Sequence, residues 1–389
     1  MPVTVWHHGL EYGLVSPTGP GPHMNQSKLF FPALLICSLF AVSVAAQDNG
    51  LTEEETAAAA SDYQQYCALC HGADRQGHVN DHAPSLRSKS LLETSEHRIV
   101  ENAISYGRLG TPMPGFNEEV GGPMSRAEIR RMISWLRGKA GVSVADLLDV
   151  PLDPVLGDVE LGAELYAREC TDCHGAEGQG VTGTALGNPA MLSLTPDRFL
   201  RHAIVNGRQD TEMPAFGGKL SDDEIDALTA FLRSRDTGWA VEKPVYRAPP
   251  PPEQWVINPA GEAPAFELKD DMYVMSADLD QALREGKKMV LLDTRVISFW
   301  QMVNIEGSVP MPYYTESRDL DKIAESLPND GTWIVTYCEC PRAAAEYVNG
   351  QLKQRGFENL AVLWEGIQGW LALGYPVSRG RTEAVEVAN

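Results

Sequence analysis

Cys67-Ala68-Leu69-Cys70-His71-Gly72-Ala73 and Cys170-Thr171-Asp172-Cys173-His174-Gly175-Ala176 are one seven-residue pattern written twice, 103 residues apart. Downstream, Gly107-Arg108, Thr111, Met113-Pro114 and Phe116 recur as Gly207-Arg208, Thr211, Met213-Pro214 and Phe216 at an offset of 100, so the three-residue difference lies in the loop between. Each copy closes with apolar residues at helical spacing: Ile129, Met132, Ile133 and Leu136 in one, Ile225, Leu228, Phe231 and Leu232 in the other. Each also opens with a helical face, because Ala59, Tyr63 and Cys67, like Gly162, Tyr166 and Cys170, fall at i, i+4 and i+8. Two homologous all-α domains are expected, over residues 51–145 and 155–240.

A Cys-x-x-Cys-His pattern suits covalent attachment of haem. Two thiols one helical turn apart reach the two vinyl groups, and the adjacent histidine supplies an axial nitrogen to iron. Structural zinc would need further ligands, and a dithiol redox motif needs no following histidine and sits in a βαβ context. The expected cofactors are therefore two haem c groups, one on Cys67, Cys70 and His71, the other on Cys170, Cys173 and His174. Met113 and Met213, the methionines at matched positions, are the candidate second iron ligands. His78, His82 and His97 occur only in the first copy and His202 only in the second, which suits surface histidines.

With these motifs, each segment resembles a class I, monohaem-type cytochrome c domain, and the resemblance covers roughly residues 51–240. It implies a small all-α fold around each haem, one-electron transfer, and His/Met ligation that leaves no open iron position, which argues against peroxidase-type chemistry. Ala59 departs from the helix-packing glycine that Gly162 keeps.

Residues 241–266 read as a proline-rich linker, with Pro244, Pro249 to Pro252, Pro259 and Pro264. Contiguous prolines favour an extended spacer of ~3.1 Å per residue, able to hold the next domain away from the haems unless the domains dock. From 267 to 380 the pattern alternates between α and β: short apolar runs at Met289 to Leu292, Trp333 to Tyr337 and Ala361 to Trp364, helical spacing at Ala277 to Glu285 and Arg342 to Arg355. A small α/β domain with a parallel sheet is expected, Asp293 and Cys338 standing at strand C-terminal ends where such sheets place functional groups. A thiolate at Cys338 would face a helix N-terminus, with Arg342 adding positive charge.

Over residues 267–378 the pattern resembles a rhodanese domain. Leu291-Leu292-Asp293-Thr294-Arg295 is similar to its Asp-x-Arg strand end, Asn304-Ile305-Glu306-Gly307-Ser308 to its His-Ile-x-Gly-Ala turn, Cys338 to its nucleophile, and Gly366 to Trp370 to its closing Gly and Trp. The resemblance implies sulfane sulfur carried as a Cys338 persulfide, from a donor such as thiosulfate or another persulfide. Asn304 stands for the usual histidine, Pro341 where many members have glycine, and Glu339 brings negative charge beside the nucleophile. Cys340 opens a second reading, a strained dithiol–disulfide pair with Cys338, and a third is a docking module without activity.

At 389 residues the chain suits two to four domains. Its net charge of −21 argues against nucleic acid as partner, and counted by segment the charge is −2 over 51–145 but −10 over 146–240. Residues 1–46 read as an upstream extension and a secretory signal, with Met24 as the expected start, Lys28, an apolar run from Leu29 to Val44 and cleavage after Ala46. The mature chain is thus expected to be soluble and exported, to the periplasm in a Gram-negative cell, without a stable membrane anchor. The expected function is one-electron transfer by a dihaem cytochrome coupled to sulfur chemistry at Cys338. The alternative is a pure electron carrier between a dehydrogenase and an oxidase or another cytochrome, its last domain used for docking.

Overall fold

Among the described residues, helices account for the regular structure up to Ser234, and strands follow after it. The computed structural model describes residues 50–77, 83–94, 97–108, 111–143, 153–238, 240–339 and 342–385. The expectations for the export signal, His78, His82 and Cys340 lie outside the described residues.

The first repeat comprises α1 (Glu53–Tyr66), α2 (Ala68–His71), α3 (Lys89–Glu93), α4 (His97–Tyr106) and α5 (Arg126–Lys139). Its first and last helices begin at capping boxes, Thr52 with Glu55 and Ser125 with Glu128, which satisfy backbone N–H groups that the helix itself cannot. Ala59 and Tyr63 on α1 are buried against Ile129, Ile133 and Leu136 on α5. The second repeat repeats the order with α6 (Val159–Glu169), α7 (Thr171–His174), α8 (Pro189–Ser193), α9 (Asp197–Asn206) and α10 (Asp222–Ser234). Here a Cβ on Gly162 would stand 2.1 Å from the Ala227 carbonyl oxygen, so the α6–α10 crossing admits only glycine, whereas the α1–α5 crossing accommodates the Ala59 methyl.

The remaining chain runs through β1 (Val241–Pro244), β2 (Val256–Ile257), β3 (Tyr273–Val274), α11 (Ser276–Arg284), β4 (Met289–Asp293), α12 (Ile297–Met302), β5 (Val303–Ile305), β6 (Val309–Pro310), α13 (Ser317–Ser326), β7 (Trp333–Tyr337), α14 (Ala343–Gln354), β8 (Leu360–Leu363), α15 (Gly366–Ala372), β9 (Val377–Arg379) and β10 (Thr382–Val385). The main sheet has the order β2-β4-β7-β8-β3, parallel from β4 to β3, with β2 antiparallel to the start of β4 and β6 parallel to its end. Every residue of β4 is buried, as expected of a central parallel strand covered on both faces. Val290 and Leu292 face one core and Met289 and Leu291 the other. The helical region and the mostly parallel α/β domain agree with the fold class read from the sequence.

The proline segment departs from the spacer expectation. β1 pairs antiparallel with β10, the Arg247 N–H donates to Gln301 Oε1 at 2.8 Å and Gln301 Nε2 returns a bond to the Arg247 carbonyl at 2.8 Å, and Trp255 Nε1 donates to the Pro250 carbonyl at 2.8 Å. Prolines lack N–H groups but keep carbonyl acceptors, so an extended proline run can lie along a domain as a strap.

The described residues belong to one compact unit. Val296, 1% exposed, belongs to the same apolar core as Ala59, Phe116 and Ile133, and Phe299 and Tyr314 pack against it, so the α/β domain is docked on the first repeat. The repeats meet each other through Leu91, Ile99 and Phe199, with Ser90 Oγ donating to the Gly207 carbonyl at 2.9 Å and Arg208 Nη1 to the Ser90 carbonyl at 3.2 Å.

Candidate redox and sulfur sites

Each CxxCH segment is a short helix following the first helix of its repeat, with the backbone turned away after the histidine at Gly72 (φ 81°) or Gly175 (φ 80°). Tyr63 Oη donates to the Gly72 carbonyl at 2.7 Å and Tyr166 Oη to the Gly175 carbonyl at 2.9 Å, which explains why a tyrosine sits four residues before the first cysteine in both copies. His71 Nδ1 lies 2.8 Å from the Pro84 carbonyl and His174 Nδ1 2.7 Å from the Thr184 carbonyl. A carbonyl only accepts, so Nδ1 carries the proton and Nε2 presents a lone pair, the state that suits an iron ligand. Burial lowers the His174 pKa and further favours the neutral ring, against the opposing bond to Thr184.

Met113 and Met213 sit in loops braced in the same way. The Arg108 N–H donates to the Met113 carbonyl at 2.8 Å, Thr111 Oγ1 to the Arg108 carbonyl at 2.7 Å, and the Met113 N–H to Thr111 Oγ1 at 3.2 Å; Arg208, Thr211 and Met213 repeat these bonds at 3.1, 2.6 and 3.2 Å. The shared Gly-Arg and Thr-x-Met-Pro pattern is therefore the bracing of one loop.

The residues present fit a haem. Burial lowers the pKa of both Arg108 and Arg208 to about 10, and Arg108 Nη1 is buried without a hydrogen-bond partner among the described residues. A buried guanidinium with an unsatisfied N–H calls for a carboxylate, which the propionates of haem would bring. Among the described residues, no group of three or more His, Cys, Asp and Glu is arranged to hold a bare metal ion.

In the α/β domain, Asp293 ends β4 and Cys338 follows β7 directly. Arg295 donates Nε and Nη2 to the two oxygens of Asp293 at 2.9 and 2.6 Å, and Nη1 to Glu339 Oε1 at 3.0 Å, all in the interior. Burial works against the Arg295 charge, but the Asp293 and Glu339 carboxylates outweigh it and hold the pKa above its usual value. Tyr337 Oη donates to Asp293 Oδ2 at 2.8 Å, and Gln368 Nε2 donates to Glu339 Oε2 at 2.6 Å. Glu339 thus differs from the expectation of bare negative charge beside the nucleophile, since its carboxylate is consumed by Arg295 and Gln368. The Cys338 thiol, 4% exposed, donates to the Glu339 carbonyl at 3.0 Å.

Arg342 also differs from its expectation. Its guanidinium lies 3.7 Å from the Trp364 ring centroid and 5.0 Å from that of Tyr273, Nη1 donates to the Trp364 carbonyl at 2.9 Å, and Nε pairs with Glu346 at 3.4 Å. Its charge is stacked on rings from β3 and the end of β8, so it is no free cation for Cys338. Asn304, where the resemblance has histidine, is buried beside Trp300 and Ser308, with its amide best oriented to accept from Trp300 Nε1 and donate to the Ser378 carbonyl.

Tyr313 and Tyr314, which sequence reasoning passed over, join the two sites. The Tyr337 carbonyl, one peptide from Cys338, accepts the Thr294 N–H at 2.9 Å; the Thr294 carbonyl accepts the Tyr313 N–H at 3.0 Å; Tyr313 Oη donates to the carbonyl of Tyr66, one peptide from Cys67, at 2.6 Å. Tyr314 meets Tyr66 edge-on at 5.4 Å, and α14 lies against α2. The one available signal was the aromatic pair after Met311-Pro312, which has no periodicity to interpret.

The family model described as Cytochrome C oxidase, cbb3-type, subunit III matches residues 54–136 and 157–232, and the model described as Rhodanese-like domain matches residues 276–373. The Cbb3-type cytochrome c oxidase subunit CcoP of Rubrivivax gelatinosus is 26% identical over 235 residues, 58% of this chain and 69% of that protein. The Dihydro-heme d1 dehydrogenase of Pseudomonas aeruginosa is 37% identical over 94 residues, and the match spans only 24% of this chain and 16% of that protein. A solved rhodanese-like domain from Anabaena sp. is 27% identical, covering 28% of this chain and 78% of that one at a TM-score of 0.25.

Proposed function

We propose, for a chain made of two cytochrome c domains of the cbb3 subunit III type followed by a rhodanese-like domain, an exported electron carrier that couples sulfur chemistry at Cys338 to a pair of haems. Cys67 with Cys70 and Cys170 with Cys173 would hold one haem c each through thioether bonds, and His71 with Met113 and His174 with Met213 would supply its iron ligands. Haem so bound would supply one-electron oxidation and reduction. The chain's own residues do the rest. The Pro84 and Thr184 carbonyls orient the histidine rings, the Thr111 and Thr211 hydroxyls hold the methionine loops, and Arg108 and Arg208 offer charge to propionates.

At Cys338, Sγ attacks the outer sulfur of a persulfide or of thiosulfate. A new S–S bond forms on Cys338 as the donor's S–S bond breaks, and the donor leaves as a thiolate or as sulfite. Joining that sulfur to a further thiolate releases two electrons, the number that two one-electron carriers in one chain can accept. Asp293, Arg295 and Glu339 hold the loop that presents the thiol. Cys340 is the nearest thiol in sequence to receive or resolve the sulfur.

The observation that carries this reading is the hydrogen-bonded contact from the Cys338 loop through Thr294 and Tyr313 to the peptide before Cys67. Mixing the oxidised holoprotein anaerobically with thiosulfate, sulfide or glutathione persulfide tests it. Haem reduction in the wild type that is lost in Cys338→Ser supports the coupling. A second reading, an electron carrier between a dehydrogenase and an oxidase whose rhodanese domain only docks, draws on the burial of Cys338 and the engagement of Arg342 by Trp364. Reduction equal in the wild type and Cys338→Ser would favour it.

A further inference from the structure

The two CxxCH faces differ in what covers them. In the first repeat Tyr66, Leu69, Cys70 and Pro114 are half-buried and His71 and Gly115 are buried, under Tyr313, Tyr314 and α14. In the second repeat the matching Asp172, Cys173, Pro214 and Ala215 are exposed. The side chains change with the exposure: Tyr66, Leu69 and Pro112 in one copy correspond to Glu169, Asp172 and Glu212 in the other. Asp210 is exposed as well, and neither it nor Asp172 nor Glu212 forms an ion pair among the described residues. Glu169 is held by Arg168 at 2.9 Å and Lys219 at 2.5 Å, so four carboxylates stand against two cations and the balance stays negative. Pro214, Ala215 and the 46% exposed Val181 add small exposed apolar side chains to the same repeat. Exposed apolar side chains accompanied by charged ones are the composition of a transient protein interface.

We propose that this face of the second repeat is the docking site for a small redox protein whose own centre is ringed by lysines, and that the first repeat offers no such face because the rhodanese domain occupies it. Electrons then pass in a fixed order through the molecule: rhodanese domain, first repeat, second repeat, partner. Contact between the repeats at Ser90, Gly207 and Arg208 makes the middle step internal. Negative surface charge raises the encounter rate with a basic partner and orients it, and small exposed apolar side chains allow close approach. The docking site rests on the reading that the repeats carry haem, and the first step of the order rests also on the sulfur chemistry proposed at Cys338.

The test uses the ascorbate-reduced holoprotein and oxidised mitochondrial cytochrome c, a lysine-ringed haem protein, in stopped flow. The lysine-acetylated form of that protein serves as the uncharged counterpart. In the wild type the rate should fall steeply with added salt, and acetylation should slow it. Asp172→Lys with Glu212→Lys should lower the low-salt rate on the order of tenfold. Glu53→Lys with Glu54→Lys, the same charge change on the exposed start of α1, should change it by no more than about twofold, the screened effect of a distant pair. Equal losses in the two variants, or no loss in either, would overturn the docking site while leaving the haem reading intact. A protein without a haem spectrum at two groups per chain would overturn both.

Discussion

The two repeats share the parts that build a site and differ in the parts that meet a neighbour. Tyr63 and Tyr166, Gly72 and Gly175, and Thr111 and Thr211 make matching hydrogen bonds, because each copy must satisfy the same backbone groups around its loops. Tyr66 and Leu69 against Glu169 and Asp172 show the other side. Where a domain docks, the position is aromatic or aliphatic; where the face is open, it is acidic. The helix crossings differ too, Gly162 permitting a closer approach than Ala59. A duplicated unit thus keeps its internal bracing under one set of constraints and takes its surface from its surroundings.

The strongest way to break the contrast is through Arg295. Arg295→Met leaves the Asp293 and Glu339 carboxylates buried without their cation, and should cost about 3–5 kcal/mol in denaturant unfolding of the rhodanese domain. Because Val296 and Phe299 follow Arg295 and dock on the first repeat, amide exchange should accelerate in α2 and stay unchanged in α7; equal acceleration in both would mean the docking does not protect the first repeat.

Gly162→Ala should come next. Its methyl would press on the Ala227 carbonyl and cost about 1–3 kcal/mol, seen as a lower unfolding midpoint of the second repeat. The mirror change, Ala59→Gly, should cost about 1 kcal/mol through helix propensity alone, and comparable losses would show that the two crossings are equivalent after all.

Tyr313→Phe removes one hydrogen bond from the docked face and should cost about 1 kcal/mol, detectable as roughly fivefold faster exchange in α2. The smallest effect is one on which the repeats should agree. Capping bonds to Ser125 and Ser221 lower the pKa of Glu128 and Glu224. A carboxylate with a depressed folded pKa stabilises the fold above its unfolded pKa and loses that contribution as pH falls through the folded one. Ser125→Ala should therefore cost about 1 kcal/mol at neutral pH, and the difference from wild type should shrink as the pH falls below the usual glutamate range and Glu128 takes up its proton. Ser221→Ala should follow the same pH course.

Much of the site was legible in the chain because its parts are short-range. The cysteine, histidine and tyrosine of each repeat lie within nine residues, and the Gly-Arg and Thr-x-Met-Pro pattern encodes one braced loop. The alternating elements of the last domain were legible for the same reason, since β4 and β7 are continuous apolar runs. Arg342 was not. Its place beside Cys338 in sequence suggested a cation for the thiol, but Trp364 and Tyr273 arrive from other strands and offer ring faces that hold it elsewhere. Glu339 was misjudged likewise, because its partner Arg295 is 44 residues away.

From the amino acids alone came the expectation of two tethered one-electron centres, a separate parallel-sheet domain and a cysteine at the end of one of its strands, since each depends on residues within a few turns or one strand of each other. The tertiary structure decided that the proline segment is a strap, that Val296 and Tyr313 seat the last domain on the first repeat, and that the second repeat keeps acidic side chains exposed where the first is covered. Those outcomes depend on which surfaces fit once every element is folded, and complementarity between segments hundreds of residues apart leaves no periodic trace along the chain.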